Sequence, residues 1–150
     1  MTQEYGSIRR YWLTATSAVW LCMLPILLWK YSLPELLRRA TAAGNRCKRE
    51  NLQELDSTLG LLKRLCQLRL FRLPPFPRDC MRQSLVLYRA LTRMGYPVVI
   101  HFGVRKEGSR FEGHSWVTVN SRLVEEPDPF SAFTRVYSYP VPSKEWTQLP

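Results

Sequence analysis

The chain has 150 residues, which is enough for one domain with a substantial core. Its four cysteines show no regular spacing and no CxxC pair, which argues against a zinc site or a disulfide scaffold. Reduced thiols in the cytoplasm fit this pattern best.

The net charge is +10, and 13 of the 22 Lys/Arg but only 5 of the 12 Asp/Glu lie in residues 1–78. A basic first half favours an acidic peptide or a phospholipid surface, and no nucleic-acid-binding motif accompanies it. We therefore expect no nucleic acid partner.

A stretch of nineteen residues near the N-terminus, 11–29, carries no charge and lies between Arg10 and Lys30. Its length is close to the minimum for crossing a bilayer, and a tryptophan stands near each end, as in membrane interfaces. Polar residues and Pro25 inside the stretch argue against a span. Two structures stay open: a buried or membrane-surface helix, and a true span. We expect a cytoplasmic protein whose residues 11–29 allow association with the inner membrane.

The first half, residues 1–73, is predicted to be helical. Helices are expected over 8–29, over Pro34 to about Ala43 with Gly44 as the stop, and over 48–72, where leucines recur every three or four residues. The second half, residues 74–150, opens on a proline-rich segment and has a different pattern. It predicts a helix, three strands and a tail from Phe130 that packs as a partly extended edge. The helix is expected over 80–94 and the strands over 97–105, 111–119 and 122–126.

Two residues of the second half suggest a nucleophilic site. Cys80 follows a proline-rich segment that cannot be helical and opens an apolar helical run. Unpaired backbone N–H groups and the dipole of a helix start stabilise a thiolate there. His114 follows 34 residues later in a strand-like run, where its imidazole is available as a base. The alternative is that both are structural residues, as free cysteines and single histidines commonly are.

A base of this kind usually needs a carboxylate or amide to orient it. Register in the hairpin after His114 decides which carboxylate faces the ring, since a one-residue slip moves every side chain to the other face. A two-residue turn at 120–121 favours Glu125, whereas a three-residue turn at 120–122 puts two other carboxylates on the histidine's face. The candidates are Glu125, Glu126 and Asp128.

Four segments of the chain resemble the transglutaminase-like cysteine peptidase of lasso-peptide biosynthesis, the stand-alone B protein that removes the leader from a ribosomally made precursor. They are 80–89 (CMRQSLVLYR), 95–97 (GYP), 102–105 (FGVR) and 113–117 (GHSWV). The resemblance covers roughly residues 70–140. It implies an α+β fold, in which an N-terminal helical layer precedes a transglutaminase-like, papain-like core with an antiparallel sheet.

The resemblance also implies roles for individual residues. Cys80 matches the nucleophile and His114 the general base. The acid of the family lies twelve residues after the histidine, which here is Glu126 in place of the usual Asp, with Asp128 as the alternative. Gln83 replaces an arginine of the family, and Ser84 is retained and read as structural. His101 has no catalytic counterpart and is expected to be a packed strand residue.

The same resemblance implies partners but no cofactor and no metal. The substrate is expected to be the precursor peptide at its leader–core junction, presented by a separate small leader-recognition protein. An ATP-dependent lasso cyclase is expected to act on the product. Two other functions stay open on sequence grounds. One is an acyltransferase or transglutaminase that passes the thioester to an amine, and the other is a non-catalytic binding module.

Overall fold

A computed structural model describes residues 2–41, 52–72, 74, 79–124 and 132–140. The described chain forms four α-helices, one 3-10 helix and a four-stranded antiparallel sheet, so the predicted α+β class is confirmed. The helices are α1 (Thr2–Lys30), α2 (Leu33–Thr41), α3 (Leu52–Cys66) and α4 (Asp79–Met94), with the 3-10 helix at Arg69–Arg72 between the last two. The strands are β1 (Val98–Glu107), β2 (Arg110–Val119), β3 (Arg122–Leu123) and β4 (Thr134–Tyr139).

The three N-terminal helices follow the predicted order, with one difference in the third. The single helix expected over 48–72 ends at Cys66, and the chain continues as a short 3-10 helix that begins at Arg69. At this break the Gln67 N–H is shared between the carbonyls of Lys63 and Arg64, and the Leu68 N–H bonds the Leu65 carbonyl at 3.3 Å. These tightened bonds are typical of a helix C-terminus. Residues 48–51 lie outside the described residues.

Helix α4 is the centre of the molecule. It contacts α1, α2 and α3 as well as strands β1 and β2. Residues 84–91 are buried without interruption, so this helix has no solvent face along two turns. A helix enclosed on all sides is a core helix.

Polar groups of α4 find partners on the helices around it. The Tyr88 hydroxyl lies 2.6 Å from the Thr41 hydroxyl of α2, and burial raises the pKa of Tyr88 to about 12. The Arg89 guanidinium lies over the Trp20 ring of α1 at 5.2 Å and contacts the Thr16 carbonyl at 3.5 Å. Burial lowers the pKa of Arg89 to about 10, so it remains charged at neutral pH. These contacts tie α4 to α1 and α2.

The sheet has the order β3-β2-β1-β4, with β1 and β2 in the middle. They form a long hairpin in which Val98 pairs with Val119 and Glu107 with Arg110. This strand pair extends further than expected, because Gly108 adopts φ +61° and closes a two-residue turn where a five-residue loop was predicted. Strand β1 is buried on both faces, as predicted: Ile100 is 0% and His101 6% exposed.

The tail forms the second edge of the sheet, which confirms the extended edge predicted for it over Thr134–Tyr139. Strand β4 pairs with β1, and the register shifts between Phe102 and Gly103. Phe102 pairs with Tyr137 and Gly103 with Arg135, so Val136 is an extra residue on the edge strand. A bulge of this kind bends the strand and redirects its side chains.

One hydrophobic cluster joins the helices to the sheet, from Leu13 of α1 to Val119 of β2. From the sheet it takes Val98, Ile100, Val117 and Val119, which therefore face the helices. The boundary expected at residues 73 and 74 stays a prediction.

Helix α1 contains a segment, Tyr11–Lys30, with the length and composition needed to cross a membrane, and its mean hydropathy is 1.6. Core helices of soluble proteins and signal sequences share these properties. In this fold one face of the segment is buried, with Leu21 and Leu24 at 0% exposure.

Candidate active site

Cys80 lies in the first turn of α4, as the sequence predicts. The helix begins at Asp79, and the side chain of Cys80 is partly exposed. The first N–H groups of a helix have no intrahelical acceptor and stabilise a negative charge placed beside them. The chain therefore presents a thiol next to a set of backbone donors.

His114 lies in β2, directly opposite Gly103 of β1. Its partly exposed ring stacks on Trp116 with centroids 6.2 Å apart and contacts Phe133 at 5.1 Å. Gly103 makes this arrangement possible: a Cβ there would lie 2.9 Å from the Trp116 ring and 3.2 Å from the Phe133 Cβ. The glycine thus leaves room for the two aromatic rings that hold the imidazole.

Both residues line one cavity. It has a volume of about 310 Å³ and reaches from the start of α4 to the middle of the sheet. Most of its side chains are apolar, and two glycines contribute backbone alone. The lining residues are Cys80, Met81, Phe102, Gly103, Val104, Gly113, His114, Ser115 and Val136.

The imidazole and the helix that carries the thiol lie on opposite faces of the sheet. Alternation along β2 puts His114 and Trp116 on one face and Val117 on the face that packs against the helices. Within the described residues, no hydrogen bond joins the Cys80 thiol to the His114 ring. The catalytic role of the pair stays a prediction.

Ser115 supplies a buried hydroxyl in the wall of this cavity. The residue is 2% exposed, and its Oγ has no hydrogen-bond partner within the part of the chain that the structure describes. Ser84, one helical turn after Cys80, is 0% exposed, and its Oγ also has no hydrogen-bond partner within the described residues. Ser84 packs inside the core, consistent with the structural role expected of it.

His101 is packed within the sheet, as expected. Its ring nitrogens lie 2.8 Å from the Ser138 hydroxyl and 3.0 Å from the Thr118 hydroxyl, and the ring stacks on Trp116 at 5.5 Å. Burial, with repulsion from Arg135, lowers the pKa of His101 to about 4. His101 is therefore neutral at pH 7. Trp116 lies between the two histidines of the chain.

Arg82 is a supporting residue that the sequence did not reveal. It is 2% exposed and donates hydrogen bonds to the carbonyls of Phe71 and Cys66, the latter at 3.0 Å. It thereby fixes the start of α4 to the chain that precedes it, two residues after the thiol. An arginine in a helical run normally indicates a solvated face, so nothing in the pattern distinguishes this buried one.

The hairpin register contradicts one of the arguments for the third member of the site. Asn120 and Ser121 adopt φ of 49° and 62°, and the pairs Val119–Arg122 and Thr118–Leu123 show a two-residue turn. The three-residue turn that put Glu126 and Asp128 on the histidine's face is therefore wrong. The two-residue turn is the alternative that favoured Glu125. All three carboxylates lie outside the described residues, and the assignment of Glu126 now depends on the resemblance alone.

No metal centre is found in the described ranges, where no group of three or more His, Cys, Asp or Glu side chains is placed to hold an ion. A thiol at a helix start and an imidazole on a strand, both lining one cavity, are typical of enzymes with a cysteine nucleophile.

Comparison with known proteins agrees with this class. The family model described as transglutaminase-like superfamily matches residues 18–138, which is most of the chain. The chain belongs to the transglutaminase-like superfamily, a group of the cysteine-peptidase and acyltransferase type whose enzymes usually carry Cys, His and Asp. No curated protein and no solved structure matches the chain.

Proposed function

We propose that this protein is a cysteine peptidase that removes the leader from a lasso-peptide precursor. The observation that carries the proposal is that Cys80 and His114 line the same cavity in a transglutaminase-like fold. The motifs at 80–89 and 113–117 support the narrower function, because they resemble the leader peptidase of lasso-peptide biosynthesis. Glu126, with Asp128 as the alternative, is the proposed orienting acid.

The chemistry proceeds through a thioester. The Cys80 thiolate attacks the carbonyl carbon at the leader–core junction, and a new S–C bond forms as the carbonyl oxygen becomes an oxyanion. The backbone N–H of Cys80 is placed to stabilise that oxyanion. His114 gives a proton to the departing amine, and the C–N bond breaks. Water then attacks the thioester, its proton passes to His114, and free leader and free thiol are released.

The proposal includes three partners. The precursor enters the cavity at its leader–core junction, and a separate small protein holds the leader. The new N-terminus of the core peptide is then the substrate of an ATP-dependent cyclase. Transfer of the thioester to an amine is the rival reaction, since this superfamily contains acyltransferases and only the acceptor differs.

The test is to incubate the protein with its precursor and the leader-recognition protein and to weigh the products by mass spectrometry. We expect free leader with a new carboxylate and a core peptide with a free amine. A leader joined to an added amine would show that the protein is an acyltransferase rather than a peptidase. An unchanged precursor with all three components present would favour a binding module.

Substitutions at the site and at a control position test whether product formation depends on Cys80 and His114. Cys80→Ala and His114→Ala are expected to lower turnover by at least about 10³-fold, and Cys80→Ser should fail as well, since an alcohol is a far poorer nucleophile here. Cys22→Ala removes an exposed thiol on α1 and is expected to leave cleavage unchanged. Near-normal leader removal by Cys80→Ala would refute the thiol mechanism.

A further inference from the structure

One face of α1 is apolar and exposed from Tyr11 to Trp29. It comprises eight residues that fall within an arc of about 120° at 100° per residue, and we call it the α1 stripe. Trp29 is 89% exposed, Val19 62% and Ile26 60%. The stripe consists of Tyr11, Trp12, Ala15, Val19, Cys22, Met23, Ile26 and Trp29. Exposed apolar surface of this extent marks an interaction site rather than scattered surface residues.

We propose that the α1 stripe binds the surface of an anionic phospholipid bilayer, with α1 lying flat in the interface and the rest of the domain above it. This inference does not depend on the peptidase function. It concerns where the protein works, and the residues that carry it are separate from the cavity.

The opposite face of α1 is buried in the protein core, which favours a helix lying flat on the membrane over one that spans it. Leu13, Leu21 and Leu24 are 5% exposed or less and belong to the hydrophobic cluster shared with the other helices. Ser17, on the same face, is 1% exposed. A span would have to pull this face out of the core and open the contacts of α1 with α3 and α4. A helix lying on the membrane keeps those contacts and covers only the stripe.

The ends of the stripe carry the groups that suit a lipid interface. Tyr11 and Trp12 stand at one end and Trp29 at the other, and amphipathic aromatic rings favour the headgroup level. Exposed Lys30 follows the stripe on the same side of the helix, and no charged residue lies within the stripe. Basic residues beside an apolar face are attracted to anionic headgroups, and the net charge of +10 adds to this attraction.

The same charges disfavour a second copy of the chain as the occupant. Two stripes paired in parallel would bring the Lys30 side chains of the two copies together. Each chain also carries +10, so the two copies repel each other at long range. An anionic surface has the complementary charge, and a second copy does not.

The test is co-sedimentation of the full chain with vesicles of phosphatidylcholine alone and of phosphatidylcholine with about one third phosphatidylglycerol. Val19→Glu with Ile26→Glu places two charges in the stripe. The matched control, Leu68→Glu with Phe111→Glu, makes the same change at residues 52% and 76% exposed elsewhere on the protein. Both double variants lose the same net charge. All four positions are exposed, so thermal unfolding should show that the fold is retained.

We expect the wild type to bind the anionic vesicles more strongly than the neutral ones. The stripe variant should lose at least about 10-fold in partition coefficient, and the control no more than about 2-fold. Alkaline carbonate should release the bound protein, and retention would show a span and overturn the flat arrangement. An equal loss in both variants would show that binding depends on net charge and not on the stripe, and would overturn the proposal. Absence of vesicle binding would refute the proposal, whether or not the stripe then supports a dimer or a complex with another protein.

Discussion

Three thiols in the described part of the chain lie in different surroundings. Cys66 is 1% exposed in the core, Cys22 is exposed in the middle of a long helix, and Cys80 is partly exposed in the first turn of α4. Of these three, only Cys80 lies in the first turn of a helix, a position that favours reactive thiols because its N–H groups have no intrahelical acceptor.

We therefore expect iodoacetamide to alkylate Cys80 faster than the other cysteines at pH 7, even though Cys22 is more accessible. Peptide mapping by mass spectrometry after short exposures gives the four rates. Labelling of His114→Ala separates the contribution of the imidazole from that of the helix start. Equal rates at Cys22 and Cys80 in the folded protein would mean that the thiol is not activated.

The orienting acid is the least determined residue of the site. Loss of this acid should reduce turnover strongly but less than loss of the thiol, because the imidazole remains while its tautomer is no longer fixed. The comparison is Glu126→Gln, Asp128→Asn and Glu125→Gln under identical conditions, with cleavage rates as the readout. We expect Glu126→Gln to be the most impaired. A normal rate in that variant with a crippled Glu125→Gln would agree with the two-residue turn instead.

His101 makes the stability of the fold depend on pH. Its pKa is lowered from 6.5 to about 4 in the folded protein, so below pH 6.5 the unfolded chain takes up a proton that the folded chain resists. Stability is therefore lost as the pH falls from 6.5 towards 4, by about 2 kcal/mol between pH 7.5 and pH 5. Urea unfolding at these two pH values should show this loss, and a smaller one in His101→Gln. Equal losses in both proteins would contradict the assignment.

The two proposed catalytic residues could be singled out from sequence, whereas their proposed acidic partner could not. Cys80 follows prolines and opens an apolar run, and His114 stands in an alternating strand, so each has a local signal. The acid depends on the length of a turn. Asn120 and Ser121 both adopt positive φ, but Asn-Ser is a weaker turn signal than Asn-Gly, and a one-residue error reverses the facing side chains.

At the scale of elements, the hairpin β1–β2 depends on a close approach at Gly103. Gly103→Ala brings a methyl group to 2.9 Å from the Trp116 ring, which must shift. We expect a loss of about 1–3 kcal/mol in the free energy of unfolding, measured by urea titration. His114 stacks on Trp116, so its ring should be displaced as well, and cleavage should fall with it.

Gly113 provides the matched control in the adjacent strand. A Cβ there meets its nearest neighbour, the Gly103 carbonyl oxygen, at 4.0 Å, which is ordinary contact. Gly113→Ala should therefore change stability by less than about 1 kcal/mol. Equal destabilisation by the two substitutions would show that strand geometry, rather than the aromatic contact, limits this position.

Helix α4 shows what periodicity alone misses at this scale. The apolar spacing predicts a helix at 80–94, and the structure has it at Asp79–Met94. The charges of Arg82 and Arg89 suggest a solvated helix face, yet both residues are buried. Arg82 bonds two carbonyls, and Arg89 lies over the Trp20 ring. Contacts of this kind join residues far apart in sequence, and no local pattern records them.

The whole molecule is small, and much of its surface lies outside the cavity. Within the part that the structure describes, the proposed substrate groove is the one between Cys80 and the sheet. A flexible precursor held there alone must be ordered at an entropic cost. A partner that holds the leader raises the effective concentration of the junction at the site.

We therefore expect the isolated chain to cleave its precursor slowly and a leader-binding protein to raise kcat/KM by about 10²-fold. A short peptide that spans the junction but lacks the leader is the control, and its rate should not respond to the partner. Full-rate cleavage of the precursor by the chain alone would refute this dependence.

The sequence did not predict which strand the tail would pair with. The order of strands β1 to β3 follows from short turns between neighbours, which local residues specify. The tail could be expected at an edge, but nothing in it distinguishes pairing with β1 from pairing with β3. The pairing with β1 brings Tyr139 against Tyr88 at 6.1 Å and Val136 to the cavity, both long-range contacts.

The enclosure of α4 links the reactive thiol to the most protected part of the chain. Backbone amides of residues 84–91 are expected to exchange with solvent only when the whole domain opens, since every neighbour of the helix must separate first. A change that loosens residues 84–91 would move the first turn of α4 with them, and we expect it to lower global stability. Inactivation by such changes and unfolding should follow the same denaturant curve.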